Sequence, residues 1–245
     1  MPSGLVLPRA RGLFITGTDT GVGKTIVAGA IARILSKRGF KVGVFKPVAT
    51  GCRRRREGLV SLDAEFLSFC VDSDLPLSVI NPVSYSIPAA PAVCEKREKR
   101  PVDVAAIQTA YRHICATSDF VVVEGIGGVR VPITQGLDVL GLIKAMALPV
   151  VVVTRPQLGT INHTLLTIDA VRSASLNLVG LVISGYDART ATPAEETAAK
   201  VLAEWGQTRV LAVVPYDSAS SVEKCRLGST VVEALSRRNW AGLAR

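Results

Sequence analysis

The stretch that decides the fold is ITGTDTGVGKT, residues 15–25. It follows a short apolar run, Leu13–Thr16, and precedes a segment whose apolar residues recur at helical spacing until Gly39. A common phosphate-binding loop has four residues between its first glycine and a Gly-Lys-Thr triplet, whereas five separate Gly17 from Gly23 here. The strand–loop–helix context still predicts a phosphate site, because loop N–H groups and a helix N-terminus attract an anion.

The rest of the chain alternates apolar runs with helical patterns. The predicted strands after the first are 41–47, 120–123, 149–154, 178–184 and 209–214. The predicted helices are 102–117, 137–147, 161–174 and 193–205, with a helical tail from about 219 and an irregular Pro-rich segment over 76–91. Continuous β-branched strands favour a mostly parallel sheet covered by helices on both faces. We therefore predict an α/β fold of the P-loop NTPase type, with one domain over residues 1–245.

Composition limits the classes of protein that the chain can form. Of its 245 residues, 48% are apolar and 20% are charged, which argues against disorder. No apolar run is long enough to span a bilayer and the first residues lack the apolar region of a signal peptide, so we expect a cytoplasmic protein without a membrane partner. The five scattered cysteines form no C-x-x-C pair, which favours reduced thiols over a zinc site.

The net charge of +9 is concentrated in the first 100 residues, largely in the runs Arg53–Arg56 and Lys96–Arg100. Such runs can attract nucleic acid. Neither run has interleaved aromatic residues, which a single-strand-binding surface would offer for base stacking. We interpret both runs as solvated loops and expect no nucleic-acid partner; a steep salt dependence of DNA binding would reverse that interpretation.

Four loops follow predicted strands and should meet at one edge of the sheet. They are 16–25, 46–51, 124–128 and 154–162. In open α/β sheets the carboxyl ends of parallel strands share one edge, and ligands bind outside it. The sequence therefore predicts a single cleft built from these loops.

Charged side chains in these loops are typical of phosphate chemistry. Lys24 would reach the phosphates, and Lys46 ends an apolar strand, where an ammonium group either has an anion nearby or extends to the surface. Thr25, Asp63 and Glu124 supply the hard oxygens that Mg²⁺ prefers. Asp63 has an equally good alternative role as an N-cap or first-turn acid of the helix that follows. The two histidines, His113 and His163, have no evident catalytic partner and are interpreted as structural or polar-contact residues.

With these residues together, the chain resembles the dethiobiotin synthetases, ATP-dependent carboligases of biotin synthesis. The matching stretches are TGTDTGVGKT (16–25), KPVATG (46–51), Asp63, VVVEGIGG (121–128) and LGTINHTLLT (158–167). They run in the family order within residues 13–185, and the last 60 residues match weakly. The five-residue spacing of the loop is the form that this family uses.

The resemblance implies a homodimer of single α/β domains that closes a ureido ring on 7,8-diaminopelargonate with CO₂ and ATP. One amine takes up CO₂ as a carbamate, the carbamate attacks the γ-phosphate, and the second amine displaces phosphate from the mixed anhydride. It further implies that the site is shared across the dimer interface, because the LGTIN helix start of one subunit would bind the substrate carboxylate of the other.

Roles for individual residues follow from the same resemblance. Lys46, Lys24 and Thr20 would be catalytic, and Thr25, Asp63 and Glu124 would hold Mg²⁺. The residues expected to bind the nucleotide are Gly21, Val22, Gly23, Lys24, Thr25, Ser184 and Pro215. Those expected to bind the substrate are Thr20, Lys46, Thr50, Gly127, Gly159, Thr160, Ile161 and Asn162.

Two positions depart from the family pattern. Some relatives have Glu where this chain has Gly21, and many have Asn-Asp where it has Ser184-Gly185. An asparagine offers a paired donor and acceptor to the adenine, whereas serine offers one hydroxyl. We therefore hypothesise relaxed base selectivity, with the loop around Pro215 as the remaining base-side element.

Two related classes of protein are less well supported. Partition and septum-positioning ATPases share the fold and loop, but they carry a signature lysine where this chain has Asp19. Their membrane-binding tails have a weak counterpart in TVVEALSRRNWAGLAR, residues 230–245, which we expect to pack on the protein instead. Cobyrinic-acid-type amidases need a glutaminase domain, for which the chain has no room.

Overall fold

The structure is a computed structural model, and it describes residues 5–56 and 58–244. Its strands are β1 (Gly12–Gly17), β2 (Val42–Phe45), β3 (Val48–Ala49), β4 (Arg53–Arg55), β5 (Gly58–Val60), β6 (Val83–Ser84), β7 (Phe120–Gly128), β8 (Pro132–Thr134), β9 (Leu137–Asp138), β10 (Val150–Thr154), β11 (Leu178–Tyr186) and β12 (Val210–Pro215). Its helices are α1 (Lys24–Lys37), α2 (Leu62–Val71), α3 (Leu77–Ile80), α4 (Pro91–Arg97), α5 (Val104–Thr117), α6 (Val139–Met146), α7 (Thr160–Ser173), α8 (Pro193–Trp205), α9 (Ser229–Ser236) and α10 (Trp240–Leu243).

The central sheet has six parallel strands in the order β12-β11-β10-β1-β7-β2. Strand β1 lies in the middle, so the loop that follows it opens between the carboxyl ends of β10 and β7. Ile15 pairs with Glu124 of β7 and Val151 of β10, which brings the phosphate loop beside the acidic end of β7. The predicted parallel α/β fold is confirmed.

Both faces of the sheet are buried, which explains the continuous β-branched strands. Phe14, Val121 and Val123 face the core under α5 and α6, while Leu13 and Ile15 face the core under α1. Each such side chain is at most 1% exposed, and burying one contributes about 1.5–3 kcal/mol. The two cores fix the sheet, and the sheet in turn fixes where its loops emerge.

Two segments differ from the sequence prediction. The segment 76–91, expected to be irregular, contains α3, β6 and the start of α4. The arginine run is not a loop, because β4 pairs antiparallel with β5 as a short hairpin. Its ends are held by ion pairs of Arg53 with Glu223 and of Arg55 with Glu65, which local sequence patterns do not reveal.

The C-terminal tail packs on the protein, as expected. Residues 219–228 are not helical, so the helical part of the tail begins later than predicted. Helix α9 packs against α1 and β12, and Trp240 is fully buried with its indole N–H donating to Leu235 O at 2.8 Å. Within residues 5–56 and 58–244, no helix has both the length and the apolar character needed to cross a membrane.

Candidate active site

A cavity of about 590 Å³ opens at the carboxyl ends of β1, β2 and β7. Three of the four loops predicted to converge meet there, namely 16–25, 46–51 and 124–128. The residues that line it are Thr20, Gly21, Gly23, Lys24, Thr25, Ile26, Lys46, Ala49, Thr50, Asp63, Pro88, Ala89, Ala90, Glu124, Ile126, Gly127, Val131 and Val222. The fourth loop, 154–162, lies beside the phosphate loop but does not line this cavity of the single chain.

The phosphate loop ends in an uncapped helix N-terminus. Gly21 and Gly23 have φ values of 75° and 95°, which favour glycine. A Cβ at Gly23 would lie 2.4 Å from Ser184 Oγ, so the loop also needs a glycine there for space. No side chain caps α1 at Gly23, which leaves the first N–H groups of the helix available to an anion.

Lys24 is 6% exposed and projects back across this loop. Its ammonium donates to the backbone oxygen of Asp19 at 2.7 Å, a neutral partner within the loop itself. Burial and, after it, the neighbouring charge of Lys46 together lower the pKa of Lys24 to about 8, against weaker opposing effects of Glu124, Asp63 and Asp19. The loop therefore holds a cation that an incoming phosphate would stabilise.

Lys46 has two anionic partners, although it is also buried. Its ammonium lies 2.8 Å from Asp63 Oδ2 and 2.8 Å from Glu124 Oε1, and it donates to Gly125 O at 3.1 Å. Burial alone would lower the pKa of this lysine, but the two carboxylates outweigh burial and raise it. At 3% exposed, Lys46 does not extend to the surface, so that alternative is wrong.

Thr25, Asp63 and Glu124 lie together, as the predicted metal set requires. The Thr25 hydroxyl is 2.8 Å from Glu124 Oε1 and 3.1 Å from Asp63 Oδ1. Burial raises the pKa of Glu124. For Asp63, burial acts in the same direction, but the charge of Lys46 outweighs it and the pKa is lowered. Glu124 Oε2 is buried without a hydrogen-bond partner, so one hard oxygen is free to bind a cation.

The N-cap of α2 is Ser61, whose hydroxyl accepts from Ala64 N at 3.3 Å. Asp63 lies in the first turn, so the N-cap role considered for it is wrong. Its negative charge interacts favourably with the positive end of the α2 dipole. The same carboxylate also contacts Lys46 and Thr25. Because Ser61 caps α2, the helix begins at Leu62, and Asp63 in its first turn lines the cavity.

The cavity has an apolar wall that the sequence prediction missed. Its members are Pro88, Ala89, Ala90, Ile126 and Val131. The sequence IPAAP at 87–91 could have indicated a rigid, small-residue wall, but its segment was interpreted as an irregular connection. A cavity lined by both charged and apolar residues suits a substrate that has a charged part and an apolar part.

The other residues predicted to bind the substrate lie in two places, the cavity and the start of α7. Thr20, Thr50 and Gly127 line the cavity, and Gly127 has φ 55° with no room for a Cβ, which would lie 2.7 Å from Val131. The segment Gly159–Asn162 forms the N-terminus of α7 outside the cavity. Gly159 is its N-cap with φ 95° and provides no side-chain cap.

Ser184 and Pro215, which were predicted to bind the nucleotide, lie near the phosphate loop. Ser184 of β11 lies against Gly23 and pairs in register with Val214 of β12, next to Pro215. Val22 is 3% exposed and packs in the core that contains Val214, so any contact it makes with a nucleotide is through its backbone.

The two histidines lie outside the site. His113 and His163 are both exposed on their helices, and neither lines the cavity.

Comparison with known proteins gives the family. A family model described as an AAA domain matches residues 11–224. A relative from Thermodesulfovibrio yellowstonii is 38% identical over 229 residues, covering 91% of this chain and 95% of the relative. One from Bacillus velezensis is 35% identical, covering 86% of this chain and 89% of the relative. Both are named ATP-dependent dethiobiotin synthetase BioD.

The chain belongs to the dethiobiotin synthetase family. Solved structures of septum-positioning proteins share only its fold. The MinC:MinD cell division complex of Aquifex aeolicus has a TM-score of 0.57 and 14% identity, covering 94% of this chain and 95% of that one. MinD with Mg-ADP from Pyrococcus horikoshii has a TM-score of 0.53 and 16% identity, covering 96% and 94%. This chain thus shares the fold of these ATPases, but its sequence identity to them is less than half of its identity to the dethiobiotin synthetases.

Proposed function

We propose that the chain closes a ureido ring on 7,8-diaminopelargonate, using CO₂ and ATP and giving dethiobiotin, ADP and phosphate. Family membership supports an ATP-dependent synthetase of biotin synthesis. The observation that supports this substrate is the mixed lining of the cavity, which contains both Lys24 and Lys46 and an apolar wall. A triphosphate and a carbamate suit the two cations, and an aliphatic chain suits the wall.

The reaction balances in three steps. An amine of the substrate adds to CO₂ and loses a proton, giving a carbamate. A carbamate oxygen attacks the γ-phosphorus as the bond to ADP breaks, giving a carbamic–phosphoric anhydride. The second amine then attacks the carbamoyl carbon, loses its proton and releases phosphate. Such a sequence depends on placement and charge neutralisation more than on a strong base.

The residues of the chain supply that placement. The Gly21–Gly23 backbone and Lys24 would hold the β- and γ-phosphates, since the uncapped start of α1 and a buried ammonium both attract anions. Lys46 would stabilise the negative charge that moves between carbamate and phosphate. Thr20 and Thr50 line the same space and can donate hydrogen bonds to the carbamate.

Mg²⁺ fits the oxygen set of Thr25, Asp63 and Glu124. Two carboxylates and a hydroxyl lie within hydrogen-bond distance, and one buried carboxylate oxygen lacks a partner. Mg²⁺ takes few ligands from a protein, so phosphate and water would supply the others. When bound, the ion would neutralise charge on the phosphate oxygens.

The apolar wall would exclude water from the anhydride. Ile126 and Val131 line the cavity together with Pro88, Ala89 and Ala90, and the aliphatic chain of the substrate would pack against them. Water hydrolyses such an anhydride, so its exclusion protects the intermediate. A polar substitution of Val131 is expected to raise phosphate release relative to ring closure.

The substrate carboxylate would be held by a second subunit. Gly159, Thr160, Ile161 and Asn162 form a helix N-terminus outside the cavity of their own chain. The dipole and free N–H groups of that terminus suit a carboxylate. A homodimer that places it at the cavity of its partner would complete the site.

Phosphate release tests this function. Release from Mg·ATP is measured with and without 7,8-diaminopelargonate in bicarbonate buffer, for the wild type and for Lys46→Ala. We expect release that requires the diamine and is lost in the variant. Slow release indifferent to the diamine would contradict the proposal and indicate a switch ATPase of the septum-positioning type, whose fold the chain shares.

Base selectivity is expected to be relaxed. Ser184 offers one hydroxyl, and that hydroxyl faces Gly23 of the phosphate loop, so it is poorly placed to read a base edge. We expect CTP and GTP to support turnover within about tenfold of ATP, because a difference of one hydrogen bond is worth about 1 kcal/mol. Strict dependence on ATP would contradict this expectation, and Ser184→Asn is the variant expected to increase the preference for ATP.

A further inference from the structure

A buried cluster of threonine hydroxyls lies outside the cavity, between β1, β10 and the start of α7. Thr154 is at its centre and is fully buried, as is Thr164, while Thr160 is 3% exposed. Thr154 Oγ1 lies 3.2 Å from Thr18 Oγ1, 2.8 Å from Thr160 Oγ1 and 2.9 Å from Thr164 Oγ1. One hydroxyl thus contacts the phosphate loop and two positions of α7.

The direction of each hydrogen bond that the Thr154 hydroxyl makes can be derived. A hydroxyl has one proton to donate and can accept two. Thr160 donates its proton to the backbone oxygen of Arg155 at 2.5 Å, so it can only accept from Thr154. Thr154 has then used its proton, and Thr18 and Thr164 must both donate to it. Every donor and acceptor position of the Thr154 hydroxyl is occupied.

This arrangement fixes the phosphate loop and the start of α7 to the same buried oxygen. Thr18 is held a second time, because its backbone N–H donates to Val153 O at 3.0 Å. A further link runs between the two loops on the surface, where Arg155 lies 3.8 Å from Asp19. Both of those side chains are largely exposed, so the ion pair adds little and the buried hydroxyls are the main link.

We propose that Thr154 is a positioning residue that couples nucleotide binding at the phosphate loop to binding at the N-terminus of α7. The inference rests on the proposed function for what that N-terminus binds, the substrate carboxylate. A shift of Thr18 on nucleotide binding would change the hydrogen bond it donates, and Thr154 would transmit that change to Thr160 and Thr164. In a shared dimeric site, the nucleotide in one cavity would then prepare the carboxylate site of the other.

The test compares variants that differ in one hydroxyl. Thr154→Val keeps the shape and removes the central oxygen, whereas Thr154→Ser keeps the oxygen. Thr18→Val removes only the donor in the phosphate loop and leaves the α7 side of the cluster intact. The matched control is Thr167→Val, because Thr167 is also buried on α7 but donates to the His163 oxygen of its own helix.

Calorimetry measures the coupling directly. The dissociation constant of a non-hydrolysable ATP analogue with Mg²⁺ is determined with and without saturating 7,8-diaminopelargonate. In the wild type, Thr154→Ser and Thr167→Val we expect the diamine to change this constant by about fivefold or more. In Thr154→Val and Thr18→Val we expect this ratio to fall by about threefold or more, to the part that direct contact between the two ligands in one cavity supplies. A ratio equal to that of the wild type in either of these variants, or an equal fall in Thr167→Val or Thr154→Ser, would overturn the proposal.

Hydrogen exchange separates this inference from the proposed function. Binding of the analogue alone should slow amide exchange in the first turn of α7 in the wild type and in Thr154→Ser, but not in Thr154→Val. This measurement needs no diamine, so it tests the hydroxyl cluster even if the wild type shows no diamine-dependent phosphate release. Equal slowing in Thr154→Val would overturn the coupling, whereas absent diamine dependence alone would overturn only the proposed substrate.

Discussion

Two regions of the cavity, the phosphate loop and the end of β2, place a buried lysine in opposite settings. Lys24 is 6% exposed and donates to a backbone oxygen, and its pKa is lowered to about 8. Lys46 is 3% exposed and lies 2.8 Å from each of two carboxylates, which raise its pKa. The difference shows that burial alone does not set the charge of a lysine; the partners it is buried with do. Of these two lysines, Lys24 is the one without a carboxylate in direct contact, so a ligand can supply its counter-ion.

The largest expected effect is on stability when each lysine is removed. Lys46→Met leaves Asp63 and Glu124 facing each other without a cation, which should lower the free energy of unfolding by about 3–5 kcal/mol. Lys24→Met leaves no carboxylate unpaired and removes a buried charge that the fold disfavours, so at pH 7 we expect no loss of stability and a gain of up to about 3 kcal/mol. Urea unfolding at pH 7 measures both.

A double variant is the control for this comparison. Adding Glu124→Gln to Lys46→Met removes one of the two stranded charges, and part of the lost stability should return. Equal losses in Lys24→Met and Lys46→Met would show that the two regions hold their lysines in the same way, contrary to the geometry.

The pH dependence of stability is the second expected effect. The pKa of Lys24 is about 8 in the folded protein, whereas the ordinary pKa of a lysine is 10.5. Between these values the unfolded chain binds more protons than the folded one, so the stability that depends on Lys24 rises with pH. Lys46 does not contribute in this window, because a raised pKa keeps it protonated in both states; its stabilisation is lost only above pH 10.5.

This dependence is measured as a difference between wild type and Lys24→Met, which cancels the other titrating groups. From pH 8 to pH 10.5 the wild type should gain up to about 3 kcal/mol over the variant, because the pKa of Lys24 is about 8 in the folded protein and 10.5 in an ordinary lysine. Unfolding free energies at several pH values across that window would show it. A difference that stays flat would mean that Lys24 keeps its proton as readily as Lys46 does.

The sequence predicted the positions of these lysines but not their partners. A strand, a glycine-rich loop and a helix are local patterns, so the sheet and the placement of Lys24 and Lys46 at its edge followed from them. The ion pairs of Lys46 join residues 17 and 78 positions away. The distance between such partners depends on how α2 and β7 pack against β2, which no local pattern contains.

The parts of the site that the sequence prediction missed have the same cause. The wall of Pro88, Ala89 and Ala90 has no periodicity, so its sequence could indicate a rigid segment of small residues but not that this segment lines the cavity. The hairpin of β4 and β5 lacks alternating apolar residues, and it is held to the protein by partners in α2 and near residue 223. Residues 154–162 were expected in the same cleft because their strand is parallel, but α7 directs them to the side of the loop.

The smallest expected effect concerns the arginine hairpin, where cations have carboxylate partners but little burial. Arg55 is 41% exposed and pairs with Glu65, which is 20% exposed, through two hydrogen bonds. Solvent screens such a pair, so a double-mutant cycle of Arg55→Ser and Glu65→Gln should give a coupling of only about 0.5–1 kcal/mol at low salt, weakening toward 0.5 M NaCl. The same unfolding measurement applied to Lys46 and Glu124 should give a larger and nearly salt-independent coupling, because water does not reach that pair. If the two cycles agreed in size and in salt dependence, exposure could not be what separates the pairs, and the stability assigned to Lys46 would have to come from packing of its side chain instead.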